Sequence, residues 1–335
     1  MSGAVGGFTL HAGVDEAGLG PLLGPMTFGF SVFRAPAGHA DLWSAIGDGV
    51  TQNPLHDARA FVVADSKVVF KRTARCHKRL ESTALGFLAL RAHGRRPHTT
   101  TGRYLFENPV ELAVEPATIR AHPWYRKLAR ALPRHVDAGL LELRVESLHR
   151  ALTRAKVELL DLGVRVVPEA ELNRSFEETD NKSRTHWQQS RLLFRRIWQQ
   201  HAEHGVSLWV DRHGGRMHYG SILAVDFPDA SVELVDESAE LSRYRLTERR
   251  GGARRMEIAF AERAESQSFA VALASCLAKY ARETAMECFN EHFGALQPGL
   301  APTAGYTEDG RRWLEDAQLT LEREKIDRTT LVRSR

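Results

Sequence analysis

The segment GVDEAGLGPLLGP, residues 13–25, constrains the possible fold of this chain more than any other stretch. It lies between two apolar runs, residues 8–14 and 26–34, whose composition is typical of β-strands. Two adjacent acids, Asp15 and Glu16, end the first run, and the glycines and prolines after them predict a turn. We therefore expect two strands whose connection places a pair of carboxylates beside a flexible backbone.

The rest of the pattern predicts a mixed α/β fold. Short apolar runs indicate strands, and apolar positions three or four residues apart indicate helices. We predict further strands over residues 60–64, 164–167, 206–210, 231–235, 242–247 and 255–260, and helices over residues 73–92, 139–160, 185–200, 269–292 and 311–317. The order is irregular, so we expect a mixed central sheet flanked by helices instead of a regular βαβ series.

Composition narrows the class of protein. The 335 residues, 43% of them hydrophobic, suffice for one large domain with an insertion. The net charge of +4 is compatible with a nucleic-acid partner but does not require one. The three cysteines form no CxxC pair, and neither a signal peptide nor a membrane-spanning apolar stretch is evident. We predict a soluble, cytoplasmic protein and favour a monomer.

Four acids end or follow apolar strand segments: Asp15, Glu16, Asp211 and Glu265. Strands that lie side by side bring their ends together, so these carboxylates could converge on one edge of a sheet. Clustered carboxylates repel one another, and a hard divalent cation such as Mg²⁺ compensates that repulsion. Two such ions can catalyse phosphodiester hydrolysis. The alternative is that the acids are strand-end caps or surface ion-pair partners.

Several segments together resemble the type 2 ribonucleases H, the ribonuclease HII family. Residues 13–21, GVDEAGLGP, with Gly24-Pro25, are similar to the signature of that family. Glu265 lies ten positions before Ser275, where the fourth acid of the family stands. The further similar segments, in chain order, are Asp65-Ser66-Lys67, Val210-Asp211, ASCLAK at 274–279, Arg282-Glu283 and Gly305-Tyr306. The resemblance spans about residues 10–315 apart from residues 93–161.

This resemblance implies an RNase H-like fold and a nuclease activity. Residues 8–92 and 162–325 would form a discontinuous catalytic domain, and residues 93–161, which are polar, basic and proline-interrupted, an inserted helical subdomain of unknown role. The family cleaves the RNA strand of RNA–DNA hybrids and ribonucleotides embedded in duplex DNA, using Mg²⁺ or Mn²⁺. The products carry 3′-hydroxyl and 5′-phosphate ends.

The resemblance also assigns roles to individual residues. The catalytic metal ligands would be Asp15, Glu16, Asp211 and Glu265. The substrate-binding residues would be Gly18, Leu19, Gly20, Ser66, Lys67 and Tyr306. The glycines would let the backbone approach a 2′-hydroxyl, and the tyrosine would pack on a neighbouring deoxyribose. Lys279 and Glu283 would support the metal ligands from the same helix.

Two positions depart from the family pattern. Leu19 stands where the family has an arginine, which removes one cationic contact to phosphate. Glu265 replaces an aspartate, and its extra methylene displaces the carboxylate. These departures keep two other interpretations open: a catalytically weak protein that binds nucleic acid, and a nuclease of the same fold that acts on another DNA substrate.

Overall fold

The computed structural model of the chain describes residues 7–39, 41–57, 60–91 and 102–334. Within these ranges one sheet has the strand order β5-β2-β1-β6-β9-β8-β7, and β3 pairs with β4. The strands are β1 (Phe8–Ala17), β2 (Met26–Pro36), β3 (Val50–Thr51), β4 (Phe61–Val62), β5 (Glu158–Val167), β6 (Val206–Asp211), β7 (Ala230–Glu237), β8 (Leu241–Glu248) and β9 (Arg255–Ala261).

The large sheet is mixed, and its central strands are parallel. β1 runs antiparallel to β2 but parallel to β6, and β6 runs parallel to β9. Val14 of β1 is aligned with Val210 of β6, which is aligned with Phe260 of β9. Asp15 and Asp211 are the next residues on their strands, so the register brings them to the same carboxyl edge of the sheet, where α/β proteins commonly bind ligands.

Helices cover both faces of this sheet. Helices α3 and α11 share one apolar cluster on one face, and α8 belongs to a second cluster with the other face of β1 and β2. The helices are α1 (Leu42–Ala45), α2 (Ser66–Val69), α3 (Ala74–Arg91), α4 (Gly102–Phe106), α5 (Pro116–Ala121), α6 (Ala138–Ala155), α7 (Glu169–Thr179), α8 (Lys182–His201), α9 (Gly220–Asp226), α10 (Ala264–Gln267), α11 (Phe269–Leu296), α12 (Thr307–Asp316), α13 (Gln318–Arg323) and α14 (Arg328–Leu331).

Helix α11 lies directly on β1 and β2 because glycines face it. A Cβ added at Gly13 would lie 2.2 Å from the carbonyl carbon of Ala270, and one at Gly29 would lie 2.2 Å from the carbonyl oxygen of Ala274. The hydroxyl of Ser31 donates a hydrogen bond to the Ala270 carbonyl oxygen at 2.9 Å. This close contact holds the first turns of α11 against the sheet near its carboxyl edge.

The predicted fold class, a mixed central sheet flanked by helices, is confirmed. The predicted helix over 139–160 is wrong at its C-terminal end. Helix α6 ends at Ala155 because Lys156 adopts the left-handed conformation with φ of 53°, and Glu158 already pairs with Arg34 of β2. The sequence analysis also does not predict α7. Within the described ranges every helix is too short or too polar to span a lipid bilayer.

The proposed insertion is helical where the structure describes it. Helices α4, α5 and α6 lie between α3 and β5, while residues 92–101, which include most of the basic stretch HGRRPHTTTGRY, lie outside the described residues. Trp124 and Leu148 belong to the same apolar cluster as Phe87 and Phe289. This segment therefore packs on the core that α3 and α11 share, and its status as a separate domain stays a prediction.

Candidate active site

A cavity of about 250 Å³ opens at the carboxyl edge of β1 and β6. The residues that line it are Asp15, Glu16, Ala17, Gly18, Leu19, Asp65, Ser66, Lys67, Asp211, Glu265, Ser275, Lys279 and Tyr306. The structure thus brings together every residue of the predicted site except Gly20 and Glu283. These segments are far apart in sequence, and the register of the parallel strands together with α11 unites them.

Asp15 is buried near the end of β1 and is the least exposed of the four acids. Its Oδ1 accepts a hydrogen bond from the Glu16 backbone N–H at 2.8 Å. Burial raises the pKa of Asp15 well above its ordinary value, and the charges of Glu16 and Asp211 raise it further, although a hydrogen bond with Ser275 opposes them. Asp15 therefore sits where negative charge is costly unless a cation neutralises it.

Asp211 and Glu265 form the second part of the acidic wall. Asp211 is the last residue of β6, and its Oδ1 accepts a hydrogen bond from the Ala264 backbone N–H at 3.3 Å. Burial raises the pKa of Asp211 to about 6, with further contributions from the charges of Glu16 and Glu265. Glu265 is the next residue after Ala264 in α10, so a short helix after β9 presents it, and not the strand itself.

The four acids have the chemistry of a magnesium or manganese centre. Carboxylate oxygens are the hard donors that these cations prefer, and a cation would offset the repulsion that raises the pKa of Asp15 and Asp211. In the described part of the chain, no three of these carboxylates have oxygens that all lie within 4.8 Å of one another. The acids therefore line a wall of the cavity instead of closing around one point.

His186 contacts the site and was missed by the sequence analysis. Its Nε2 lies 3.2 Å from Oε2 of Glu16, and its buried ring stacks on Phe28. Burial pushes the pKa of Glu16 up, but His186 and Lys67 outweigh burial and hold it below its ordinary value. The signal was present: His186 falls on the apolar side of α8, with Phe194 among the buried residues of that helix.

The turn after β1 carries three of the predicted substrate-binding residues. Gly18 has φ of 84°, and an added Cβ would lie 2.4 Å from Nε of Arg282. Gly20 differs, because nothing lies within 4 Å of the position of its Cβ. Leu19 is 38% exposed and Tyr306 is 49% exposed, and both line the cavity. The turn therefore offers accessible backbone and apolar surface beside the acids.

Two buried arginines support this turn from within the protein. Nη2 of Arg282 donates to the carbonyl oxygen of Leu23 in this turn at 3.4 Å and to that of Ala304 at 3.1 Å, and its guanidinium lies 5.6 Å from the ring centre of Tyr306. Nη1 of Arg333 donates to the Gly18 carbonyl oxygen. The sequence analysis assigned no role to Arg333, since nothing local relates residue 333 to a turn near residue 18.

The predicted phosphate-binding and supporting residues occupy the remaining wall. Ser66 and Lys67 begin α2, and Oδ1 of Asp65 accepts a hydrogen bond from the Lys67 backbone N–H at 2.8 Å. Lys67 is exposed. Lys279 lines the cavity, and its Nζ lies 2.7 Å from Oε1 of Glu283, which lies one helical turn farther along α11.

The solved structures that are similar to this chain include several ribonucleases. The chain is similar to RNase HII from Archaeoglobus fulgidus, solved in complex with PCNA, at 13% identity and a TM-score of 0.41, over 97% of this chain and 94% of that chain. It is similar to ribonuclease H2 from Pyrococcus horikoshii OT3 at 14% identity and a TM-score of 0.40, over 96% and 92%. No protein-family model and no curated protein matches the chain.

A further similar structure is Bst-RNase HIII in complex with Mn²⁺, at 11% identity and a TM-score of 0.38, over 97% of this chain and 66% of that chain. These structures are ribonucleases HII, H2 or HIII, and the sequence motifs resemble those of the ribonuclease HII family. At such identities and TM-scores the likeness carries no inference about activity, so we argue function from the residues of the site.

Proposed function

We propose that this protein is a divalent-metal-dependent endoribonuclease that cleaves RNA in RNA–DNA hybrids or at ribonucleotides embedded in duplex DNA. The observation that carries the proposal is the shared cavity. The four acids line it together with most of the residues that the sequence resemblance assigns to sugar and phosphate. Acids alone are common on protein surfaces, but this combination fits a phosphodiester substrate.

Asp15, Glu16, Asp211 and Glu265 would between them hold the divalent metal, which is Mg²⁺ or Mn²⁺ in this proposal, at one or more points along the acidic wall. When bound, it would neutralise charge on the scissile phosphate and lower the pKa of the attacking water. The protein itself contributes position. The β1 backbone and Ser275 hold Asp15, and the Ala264 N–H holds Asp211.

Residues beside the acids would bind the nucleic acid. The open space in front of Gly20 lets a sugar approach the turn, where backbone groups can hydrogen-bond a 2′-hydroxyl and so distinguish RNA from DNA. Tyr306 would pack on the adjacent deoxyribose. Ser66 and Lys67 would contact phosphates, which position the duplex without reading its sequence. With leucine at position 19, cationic contacts to phosphate depend on the lysines of the cavity.

A nicking assay tests the proposal. A labelled DNA duplex with a single ribonucleotide is compared with an all-DNA duplex and a continuous RNA–DNA hybrid, in Mg²⁺ and separately in Mn²⁺. We expect metal-dependent cleavage with 3′-hydroxyl and 5′-phosphate ends. Asp15→Asn is expected to lower the rate by about 100-fold or more, because the buried ligand loses its charge. Asp48→Asn, which changes an exposed acid, should cleave like the wild type.

The substrates separate the competing interpretations. Equal cutting of the all-DNA duplex would replace the proposal with a nuclease for DNA. Salt-dependent binding to the hybrid without cleavage of any substrate would indicate a binding protein that has lost catalysis. Unchanged cleavage by Asp15→Asn would show that the reaction takes place elsewhere on the protein.

A further inference from the structure

Three side chains outside the carboxylate cavity have the composition of a transition-metal site. Nε2 of His135 lies 2.7 Å from Oε1 of Glu287, and Nδ1 of His77 lies 3.7 Å from the same oxygen. One donor atom from each of the three lies within 4.8 Å of the other two. Across the described ranges, this is the one set of three histidine, cysteine, aspartate or glutamate side chains arranged in this way.

The three residues come from separate parts of the chain that the fold holds together. His77 lies on α3, Glu287 on α11 and His135 in the loop before α6. The backbone N–H groups of residues 134, 135 and 136 all donate to the carboxylate of buried Glu81. That carboxylate also accepts a hydrogen bond from the Tyr280 hydroxyl at 2.9 Å. The loop is thus anchored through its backbone, and the His135 imidazole is directed at Glu287.

The carboxylate of Glu287 divides its two oxygens between the histidines and an arginine. Both imidazoles approach Oε1 of Glu287, and an imidazole nitrogen that carries no proton presents the lone pair that a metal ion requires. Nη1 of Arg130 lies 4.0 Å from Oε2 of Glu287, so the arginine contacts one carboxylate oxygen and the histidines face the other.

We propose that His77, His135 and Glu287 form a binding site for a divalent transition metal of the zinc class. Two imidazoles and one carboxylate are zinc ligands, whereas Mg²⁺ prefers oxygen donors throughout. His77 and Glu287 also line a second cavity of about 570 Å³, which leaves room for water as a fourth ligand. The metal would join the proposed insertion, through His135, to α3 and α11. This inference does not depend on the proposed nuclease activity.

Zinc binding to the full-length, chelator-treated protein tests the inference. The protein is equilibrated with Zn²⁺ in a large excess of Mg²⁺, which competes for the carboxylate cavity, and the zinc retained after desalting is measured. We expect about one zinc ion per wild-type chain, and an affinity weaker by ~100-fold or more in His77→Gln and in His135→Gln. His204→Gln, which changes an exposed histidine after α8, should retain zinc like the wild type.

Melting temperatures distinguish a loss of zinc binding from a failure of the variant to fold. Zn²⁺ should raise the melting temperature of the wild type and of His204→Gln relative to EDTA, but not that of His135→Gln. His135→Cys, which exchanges one zinc ligand for another, should retain zinc. If the wild type retains no zinc, or if His77→Gln and His135→Gln retain as much as the wild type, the inference is overturned.

Discussion

Two glycines in the turn after β1 meet different physical requirements. Gly18 combines a φ of 84° with an Arg282 side chain 2.4 Å from the position of a Cβ, so the protein's own packing demands glycine there. Gly20 has neither constraint, since its φ is not in the left-handed region and the space around it is open. Any requirement for glycine at position 20 must come from a ligand.

This contrast gives a prediction with a built-in control. Gly18→Ala should lower the free energy of unfolding by about 1–3 kcal/mol, because the left-handed backbone and the Arg282 contact both disfavour a Cβ. Gly20→Ala should change it by less than about 0.5 kcal/mol, yet reduce kcat/KM for nicking by about tenfold because the Cβ enters the sugar's space. Urea denaturation and the nicking assay measure the two effects. Unimpaired nicking by Gly20→Ala would remove that residue from the substrate site.

At the scale of elements, the segment after α14 supports the turn that carries these glycines. Nε of buried Arg333 donates to the Gly24 carbonyl oxygen at 2.8 Å, and Nη1 donates to that of Gly18. The Arg333 backbone N–H donates to the Leu22 carbonyl oxygen at 3.0 Å. Burial lowers the pKa of Arg333 to about 10, which still leaves it charged at neutral pH. The Gly24 backbone N–H donates to the side chain of Glu169 in α7. Hydrogen bonds therefore fix the turn at both ends, at Gly18 and at Gly24.

Removing this support should weaken both fold and function. Arg333→Ala is expected to lower the free energy of unfolding by about 2–4 kcal/mol, because one buried and one partly buried carbonyl oxygen lose a charged donor and buried Glu169 loses a nearby cation. The nicking rate should fall as well, because the Gly18 carbonyl loses the hydrogen bond that fixes the turn beside the acids. Arg328→Ala, at an exposed position at the start of α14, is the control. Denaturation curves that coincide for Arg333→Ala and Arg328→Ala would contradict the prediction.

At the scale of the whole molecule, the acidic wall opposes the stability of the metal-free protein. The pKa of Asp211 rises from 3.8 to about 6, so the folded state holds this proton more tightly than the unfolded state does. In the metal-free protein, the free energy of unfolding therefore falls as pH rises from about 4 to about 6 and Asp211 loses its proton. Above pH 6 this loss of stability is fully present. The pKa of Asp15 is also raised, so its ionisation likewise lowers the stability of the metal-free protein as pH rises.

The corresponding prediction is that a variant of one proposed metal ligand, Asp211, is more stable than the wild type. In EDTA near pH 7.5, Asp211→Asn should raise the free energy of unfolding by about 1 kcal/mol, or the melting temperature by ~2–4 °C. The gain should shrink near pH 4.5, where the wild-type carboxyl is protonated. Added Mg²⁺ or Mn²⁺ should stabilise the wild type more than the variant. A destabilised Asp211→Asn at neutral pH would mean that this carboxylate supports the fold.

Local patterns were sufficient for most of the secondary structure. The strands that bear Asp15 and Asp211 and the long helix α11 lie close to their predicted positions, because apolar runs and helical spacing act over short distances. The predicted helix over 139–160 failed at its end because Lys156 took a left-handed conformation, which no apolar pattern signals. Most of the predicted site residues line one cavity although their motifs are far apart in the sequence, and their roles stay predictions.

The sequence by itself determined the class of fold, the acids Asp15, Glu16 and Asp211 near the strand ends and the glycine turn beside the first two. Only the tertiary structure decided which side chains hold that site in place. Arg333 reaches Gly18 across 315 positions of the chain, His186 meets Glu16 from another element, and His77 joins His135 and Glu287. Such contacts depend on how helices pack on the sheet, and packing is set by the whole core instead of by any local stretch of residues.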